Sequence, residues 1–347
     1  MRILFVGGIQ QKDKANKYYN TVQKLINGFT REGHNVIHFS DRDVARQSNI
    51  FNIRKLGKKK CNVTFIEQIT SYRPHLIVLK HADNITAESL IRIKSKFPEI
   101  KIVQINIDAL FNPDNVKRIK SKSGLVDANF LTTYGDAVKK VKQNNKPIYY
   151  IPNPVDKSIE SHKAFEVDPS IDLLFVCGNA PNGDRRFHIP HKIINNLPNL
   201  NFKYCVTSRG TALWGNEYNK VLKDSKMGLN LSRTKERIFI AEPEDLYMYS
   251  SDRLAQYIGN GLLTFTNEEF SIGKLFTKDE MVFYKDDEDL IKKIKYFKEN
   301  VEERKRIAKN GWKRAHKDYN ERLCARFIIE VTFNKIKTKF SWPTKAF

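Results

Sequence analysis

An alternation sustained throughout the first half constrains this sequence most: short apolar, often β-branched runs, each followed by a longer stretch of helical period. A short apolar run bounded by turn residues suits a strand buried on both faces, and the helical stretch supplies the crossover that parallel strands need. The expected fold class is therefore α/β. In the first half the strands are expected at residues 3–6, 35–39, 76–79, 102–105 and 128–132, with helices at 17–31, 63–72, 87–97 and 136–143. Residues 52–62, with LGKKK at their centre, show no clear period and read as a mobile basic loop.

The alternation breaks at YYIPNPVDKSIESHKAFEVDPSID, where paired prolines and a polar stretch mark an interdomain connection. A second sheet follows, with strands expected at 173–177, 202–206, 228–231, 262–265 and 282–284 and helices at 252–259 and 287–300. Two further helical stretches run over 301–316 and 321–336. The 347 residues thus divide into a domain over 1–153, a second over 154–318, and a helix and tail over 319–347. No sequence repeat relates the halves.

Charge interrupts every apolar run, so no segment approaches the ~20 apolar residues of a membrane-spanning helix. The opening MRILFVGG reads as a strand rather than a secretory signal, which gives the expectation of a cytoplasmic protein, soluble or peripheral. Cys61, Cys177, Cys205 and Cys324 lie far apart without metal-ligand spacing and read as reduced core thiols. The formal charge of +22 is uneven: residues 1–153 hold 27 Lys and Arg against 12 Asp and Glu, net +15. That half is suited to an anionic partner, although a solvated lysine-rich surface has the same composition.

Several loops after strands carry chemistry. Gly7 and Gly8 follow the first strand, where glycine permits close approach of a phosphate. Asp41 after the second strand suits a ribose, yet GGIQQK lacks the third glycine of a dinucleotide fingerprint, so NAD binding and a plain turn both stay open. In LLFVCGNAPNGDRR, Gly178 and Gly183 have P-loop spacing, but Asp184 and Arg185 replace the Lys and Ser/Thr such a loop requires. What remains is a loop whose Arg185 and Arg186 suit a diphosphate, against the plainer reading of surface arginines. The Asp41/Asp43 and Asp287/Asp289 pairs are poor metal sites, the first flanked by arginines and the second opening a helix. His81 and Asp108 end strands, where ligands bind in open α/β sheets, and also where polar residues cap helices.

The stretch MGLNLSRTKERIFIAEPEDLYMYSSDRLAQYIGNGLLTFTNEEF places Arg233 and Lys235 after a strand and offers Ser250, Ser251 and Asp252 as caps for a helix beginning near Arg253. Its R-x-x-Q-x-x-x-x-G pattern, Arg253, Gln256 and Gly261, together with IPNPVD and LLFVCGNAPNGDRR in that order, resembles the C-terminal half of GT-B glycosyltransferases. More narrowly, it is similar to the CgeB-like, or Glyco_trans_1_2, branch of the family 4-like group. The resemblance implies two Rossmann-like domains facing across a cleft, with the C-terminal helix returning toward the N-terminal domain. It implies a nucleotide-sugar donor in the second half, with no metal or other cofactor, and sugar transfer to an acceptor hydroxyl, with retention of configuration.

With the resemblance and the loops after strands taken together, Gly7, Gly8, Gly178, Arg185, Arg186, Arg233, Lys235, Ser250, Ser251, Asp252, Arg253 and Gln256 are expected to hold the donor. Gln256 stands where the family has a ribose-binding glutamate. His81 orients the sugar, and Asp108 accepts the acceptor's proton. The basic first half then recruits an anionic glycan, a lipid-linked saccharide or an anionic membrane surface. DNA as acceptor, and a nonenzymatic nucleotide-sugar-binding or nucleic-acid-binding protein, are the alternatives.

Overall fold

A computed structural model describes residues 1–9, 18–236 and 238–347. The chain forms two compact units, the first from residues 1–132, 138–152 and 321–347, the second from 133–137 and 153–320.

In the first unit the chain runs β1 (Arg2–Val6), α1 (Thr21–Arg31), β2 (Asn35–Phe39), α2 (Asp41–Gln47), α3 (Lys58–Tyr72), β3 (Leu76–Lys80), α4 (Ala87–Lys96), β4 (Lys101–Asn106), α5 (Pro113–Ser123), β5 (Ala128–Leu131) and β6 (Ile148–Tyr150). The six strands form one parallel sheet in the order β2-β1-β3-β4-β5-β6. Leu4, Val6, Ile77, Leu79 and Ile102 pack beneath Phe65, Ile69, Leu90 and Ile93 of α3 and α4, which accounts for the unbroken apolar runs of the strands. Three expectations are corrected here. Residues 58–62 are the first turn of α3, not loop, because Cys61 is buried there; the expected helix at 136–143 is a short 3-10 turn over Asp136–Val141. The first helix begins at Thr21, capped by the Asn20 side chain on the Gln23 amide, and Lys17 lies outside the described residues.

The second unit contains β7 (Ile171–Cys177), α6 (Arg185–Asn196), β8 (Phe202–Val206), α7 (Gly215–Lys223), β9 (Ser225–Asn230), the two-residue strands β10 (Lys235–Glu236) and β11 (Phe239–Ile240), α8 (Asp252–Gly259), β12 (Leu263–Asn267), β13 (Val282–Tyr284), α9 (Asp287–Glu299) and α10 (Val301–Asp318). Its parallel sheet has the order β13-β12-β9-β7-β8, and β10 pairs antiparallel with β11. Leu173, Phe175, Met227, Leu229, Leu263 and Phe265 form the centre of its core.

The last helix, α11 (Glu321–Thr332), belongs to the first unit. It lies so close to α1 that a Cβ at Gly28 would stand 2.2 Å from the Glu321 carbonyl oxygen, and Arg31 pairs with the Glu321 carboxylate at 2.5 Å. Among the described residues no helix is long and apolar enough to cross a membrane.

Candidate functional sites at the two sheet edges

In an open parallel sheet, ligands bind outside the carboxyl ends of the strands where the winding order reverses. In the first unit that point lies between β1 and β3. Gly7 and Gly8 leave β1 there in close quarters: a Cβ at Gly7 would stand 3.0 Å from Val22, and one at Gly8 3.0 Å from the Arg42 stem. His81 and Asp83 leave β3, with His81 in the left-handed region at φ 61. Asp108 follows β4, and its Oδ2 lies 3.8 Å from His81 Nε2 and 2.5 Å from an Arg118 guanidinium nitrogen. Arg42 pairs with Asp83, and the Arg118 Nε lies 3.9 Å from the other Asp83 oxygen. His81 and Asp108 are therefore neighbours, joined by Arg42, Asp83 and Arg118, which sequence patterning did not single out. The last two come from a loop and from α5, whose start was signalled by Asn112 capping the Asp114 amide and by Pro113 at the first helical position.

Asp41 is taken up elsewhere. It is fully buried at the start of α2, where its Oδ2 accepts hydrogen bonds from the Asn84 amide at 3.0 Å and the Asn84 side chain at 2.9 Å. Burial raises its carboxyl above the usual range, against the lowering hydrogen bond from the Asn84 backbone. Asp43 accepts from Ser40 and Arg46 in the same turn. The DRD motif thus serves the beginning of a helix.

Burial drives the His81 pKa well below the ordinary histidine value, and the charges of Lys80, Arg118, Arg42 and Lys122 push it the same way. The imidazole is neutral at pH 7. Its depressed folded pKa means that the unfolded chain binds a proton there below about pH 6.5 while the native chain does not, so stability falls as pH drops through that value. His81→Asn keeps a residue tolerant of the left-handed backbone and removes the titration. The loss of stability between about pH 7.5 and pH 5.5, measured by urea unfolding, should be smaller in the variant than in the parent; an equal or larger loss would contradict a buried neutral His81.

In the second unit the winding order reverses between β7 and β9. The two strands separate toward their carboxyl ends, and their pairing ends at Leu174 and Gly228. The backbone groups exposed by that separation are met by α8. Arg253 and Tyr257 are one helical turn apart and share a face. The Tyr257 hydroxyl accepts from the Val176 amide at 3.1 Å, while Arg253 donates to the Val176 carbonyl at 3.0 Å and to the Leu231 carbonyl at 2.6 Å. The Arg253 guanidinium therefore spans the ends of both strands, 5.0 Å from the centre of the Phe175 ring. Gly228 makes room for the Tyr257 ring, since a Cβ there would stand 2.4 Å from Tyr257 Cδ2.

The loop after β7 leads through Gly178, where a Cβ would meet open space, to Gly183 at φ 85. Arg185 and Arg186, expected in a flexible loop, are instead the first two residues of α6, because Asp184 caps that helix. Asp184 is fully buried: one oxygen accepts from the Arg186 amide at 2.8 Å and Nε at 3.2 Å, the other from the Thr234 and Lys235 amides at 3.0 and 2.9 Å. The residue that breaks the P-loop pattern is thus the clamp between two loops. Lys235 Nζ would lie 3.0 Å from a Cβ at Gly183. Burial lowers the Arg186 pKa, opposed by Asp184 and reinforced by the charge of Arg233 and, less, of Arg253. Arg185 lies 3.9 Å from Glu269, with its guanidinium 5.4 Å from the Phe270 ring centre.

The cap of α8 is Ser251, whose hydroxyl oxygen accepts from the Leu254 amide at 3.2 Å and donates to Asn230 Oδ1 at 2.9 Å; Asp252 opens the helix. Ser250 is turned to the connection instead, where its hydroxyl accepts from the Asn153 amide at 3.0 Å. Gln256 is buried, and its side-chain oxygen accepts from the Tyr218 hydroxyl at 2.7 Å. Three guanidinium nitrogens of this region are buried without a hydrogen-bond partner: Arg185 Nη1, which lies 3.9 Å from the Glu269 carboxylate, Arg186 Nη2 and Arg253 Nε.

Residues 178–330 match the model of a family described as glycosyl transferase-like, Glyco_trans_1_2. No curated protein matches the sequence. Among solved structures, Anabaena HepE in complex with UDP and glucose is similar at a TM-score of 0.58 and 13% identity, over 96% of this chain and 100% of that one. An α-glucosyltransferase in complex with UDP and a 13-mer DNA reaches a TM-score of 0.64 at 10% identity, over 96% and 99%. Sucrose-phosphate synthase from Thermosynechococcus elongatus reaches 0.57 at 11% identity, over 96% and 99%. Residues 178–330 thus resemble a glycosyl transferase-like domain, and the chain has the GT-B fold over nearly its full length.

Proposed function

We propose that the chain moves a sugar from a nucleoside-diphosphate sugar to an acceptor hydroxyl, without a metal ion and with retention of configuration. The observation that carries this reading is the set of three buried guanidinium N–H groups, on Arg185, Arg186 and Arg253, that lack hydrogen-bond partners at the β7/β9 winding reversal. Buried donors nearly always make hydrogen bonds, and Glu269 stands beyond hydrogen-bond reach of Arg185 Nη1 at 3.9 Å, so three such donors in one region suit an anion. A diphosphate supplies oxygens for paired guanidinium contacts, and its charge grows as the sugar leaves. Lys235 and Arg233 add charge, Gly178 and Gly183 allow close approach, and the amides beginning α8 after Ser251 and Asp252 favour the same sign.

The reading does not use the acidic pairs as metal ligands. Asp41 and Asp43 are engaged as described, and Asp289 accepts from the Lys285 amide at 3.0 Å and from Lys293 at 2.7 Å. In the first unit, Asp108 and neutral His81 hold the acceptor hydroxyl, with Asp108 taking its proton. The acceptor we favour is an anionic glycan or a lipid-linked saccharide in the cytoplasm, on the ground of the net +15 of residues 1–153. DNA is the second reading, favoured by the same charge and by the likeness to the DNA-bound α-glucosyltransferase.

Calorimetric titration with UDP, GDP and ADP in excess EDTA should show binding of at least one nucleotide. Arg185→Ala or Arg186→Ala should weaken it by ~1.5–3 kcal/mol, the value of a charge-assisted hydrogen bond. Strict dependence on Mg²⁺ or Mn²⁺, or unchanged affinity in both variants, would overturn the reading. Gln256→Leu separates two roles: loss of the Tyr218 partner should cost ~1–3 kcal/mol of stability, and a ribose contact predicts weaker nucleotide binding as well. A stability loss with unchanged affinity would remove Gln256 from the donor site.

A further inference from the structure

Between α2 and α3, seven consecutive residues, 50–56, are exposed. Four are large and apolar: Ile50 is 87% exposed, Phe51 68%, Ile53 49% and Leu56 58%. Scattered exposed hydrophobic residues are ordinary, but four within seven positions form a patch that needs a partner. The patch is built, not frayed. Asn49 crosses the turn beneath it, its side-chain oxygen accepting from the Ile53 amide at 3.1 Å and its side-chain nitrogen donating to the Ile53, Ala45 and Arg46 carbonyls at 2.9 to 3.1 Å. Gly57 then returns the chain against α2, where a Cβ would stand 1.7 Å from the Ala45 carbonyl oxygen. The backbone is thus held so that these four side chains stay in water.

The charge around the patch is of one sign. Arg54, Lys55, Lys58, Lys59 and Lys60 are all exposed, and no Asp or Glu occurs from residue 44 to residue 66. Val63, 47% exposed, lies one turn beyond Lys59 and Lys60 on α3 and extends the apolar surface. Three of the four side chains are aliphatic and offer a nucleic acid no stacking surface, which leaves Phe51 as the single ring among them, and a protein partner has no general reason to be anionic around an apolar centre. An anionic lipid bilayer has both properties: acyl chains that accept apolar side chains, and headgroups that attract lysine and arginine.

We infer that the turn over residues 50–56 is a membrane-docking element, in which Ile50, Phe51, Ile53 and Leu56 enter the acyl boundary of an anionic leaflet while Arg54, Lys55 and the Lys58–Lys60 run engage its headgroups. This deepens the reading of an acceptor at a membrane, but it requires no donor and no turnover. Its failure would leave the nucleotide titration unaffected.

Sedimentation with vesicles of equimolar phosphatidylcholine and phosphatidylglycerol, against vesicles of phosphatidylcholine alone, tests it in the full-length protein. The parent should partition to the mixed vesicles, more strongly at low than at high salt. Ile50→Ser combined with Phe51→Ser and Leu56→Ser should lower the partition coefficient at least about tenfold, because each apolar side chain entering the bilayer contributes independently. Lys58→Gln combined with Lys59→Gln and Lys60→Gln should remove most of the preference for anionic vesicles. All the replaced side chains are exposed, so unchanged thermal unfolding is expected and serves as the check on folding. Equal partition to both vesicle types, or partition unchanged in both variants, would overturn the proposal. So would a parent that ignores vesicles but is retained on duplex DNA through these residues.

Discussion

Asp184→Ala should destabilise the second unit by about 3–5 kcal/mol, the range observed when one partner of a buried ion pair is removed. The carboxylate is fully buried and accepts four hydrogen bonds, so its loss strands the Arg186 Nε, the Arg186 amide and the amides of Thr234 and Lys235 together. Asp184→Asn retains the shape and one acceptor oxygen, and should lie between parent and alanine variant. Urea unfolding of the three proteins orders them. An alanine variant within about 1 kcal/mol of the parent would show that water replaces the carboxylate readily and that Asp184 is not the clamp described.

An effect of comparable size is expected at Gly228. An added methyl would stand 2.4 and 2.7 Å from two carbons of a fully buried Tyr257 ring, closer than packed atoms allow, so the ring or the strand must move. Moving the ring withdraws the hydroxyl from the Val176 amide and disturbs Arg253, which lies on the same face of α8. Gly228→Ala should therefore cost about 3 kcal/mol, at the upper end for overpacking. It should also weaken nucleotide binding if Arg253 belongs to the donor site. Adding Tyr257→Leu removes the clash, and the double variant should be more stable than the sum of the single changes indicates. Additive losses would mean that the two residues do not compete for this space.

The central strands are legible because they are buried on both faces, which leaves a continuous apolar run, as in β1, β3 and β7; the edge strands at 35–39 and 202–206 are only partly buried, yet they and 282–284 have the bounds expected from pattern alone. The short helices α2, α5, α6 and α7 were harder. Their buried positions include Asp41, Asp43, Asn115, Lys122 and Arg186, so hydropathy does not report the buried face. For α6 a signal exists, an aspartate directly before the helix, but the spacing of Gly178 and Gly183 imitates a phosphate loop over the same residues. For α7 there was little to find, since Trp214 at its start makes no side-chain cap. At the candidate sites, sequence could nominate single cations after strands. It could not show that Tyr257 supports β7, because the residue it bonds is 81 positions away, nor that Arg42 and Arg118 meet at Asp83.

The place of α11 has a consequence for the order in which the protein can be made. Residues 321–347 are part of the first unit, and they are synthesised only after every residue of the second. While the second unit has all its segments once residue 320 emerges, α1 still lacks the surface on which Gly28 and Arg31 pack, and Ile148 of β6 still lacks its bond from the Phe347 amide. A nascent chain halted near residue 320 would therefore hold a complete second unit behind an unfinished first one, the reverse of the usual N-terminal-first order. The uncovered α1 face would be the surface that a chaperone meets.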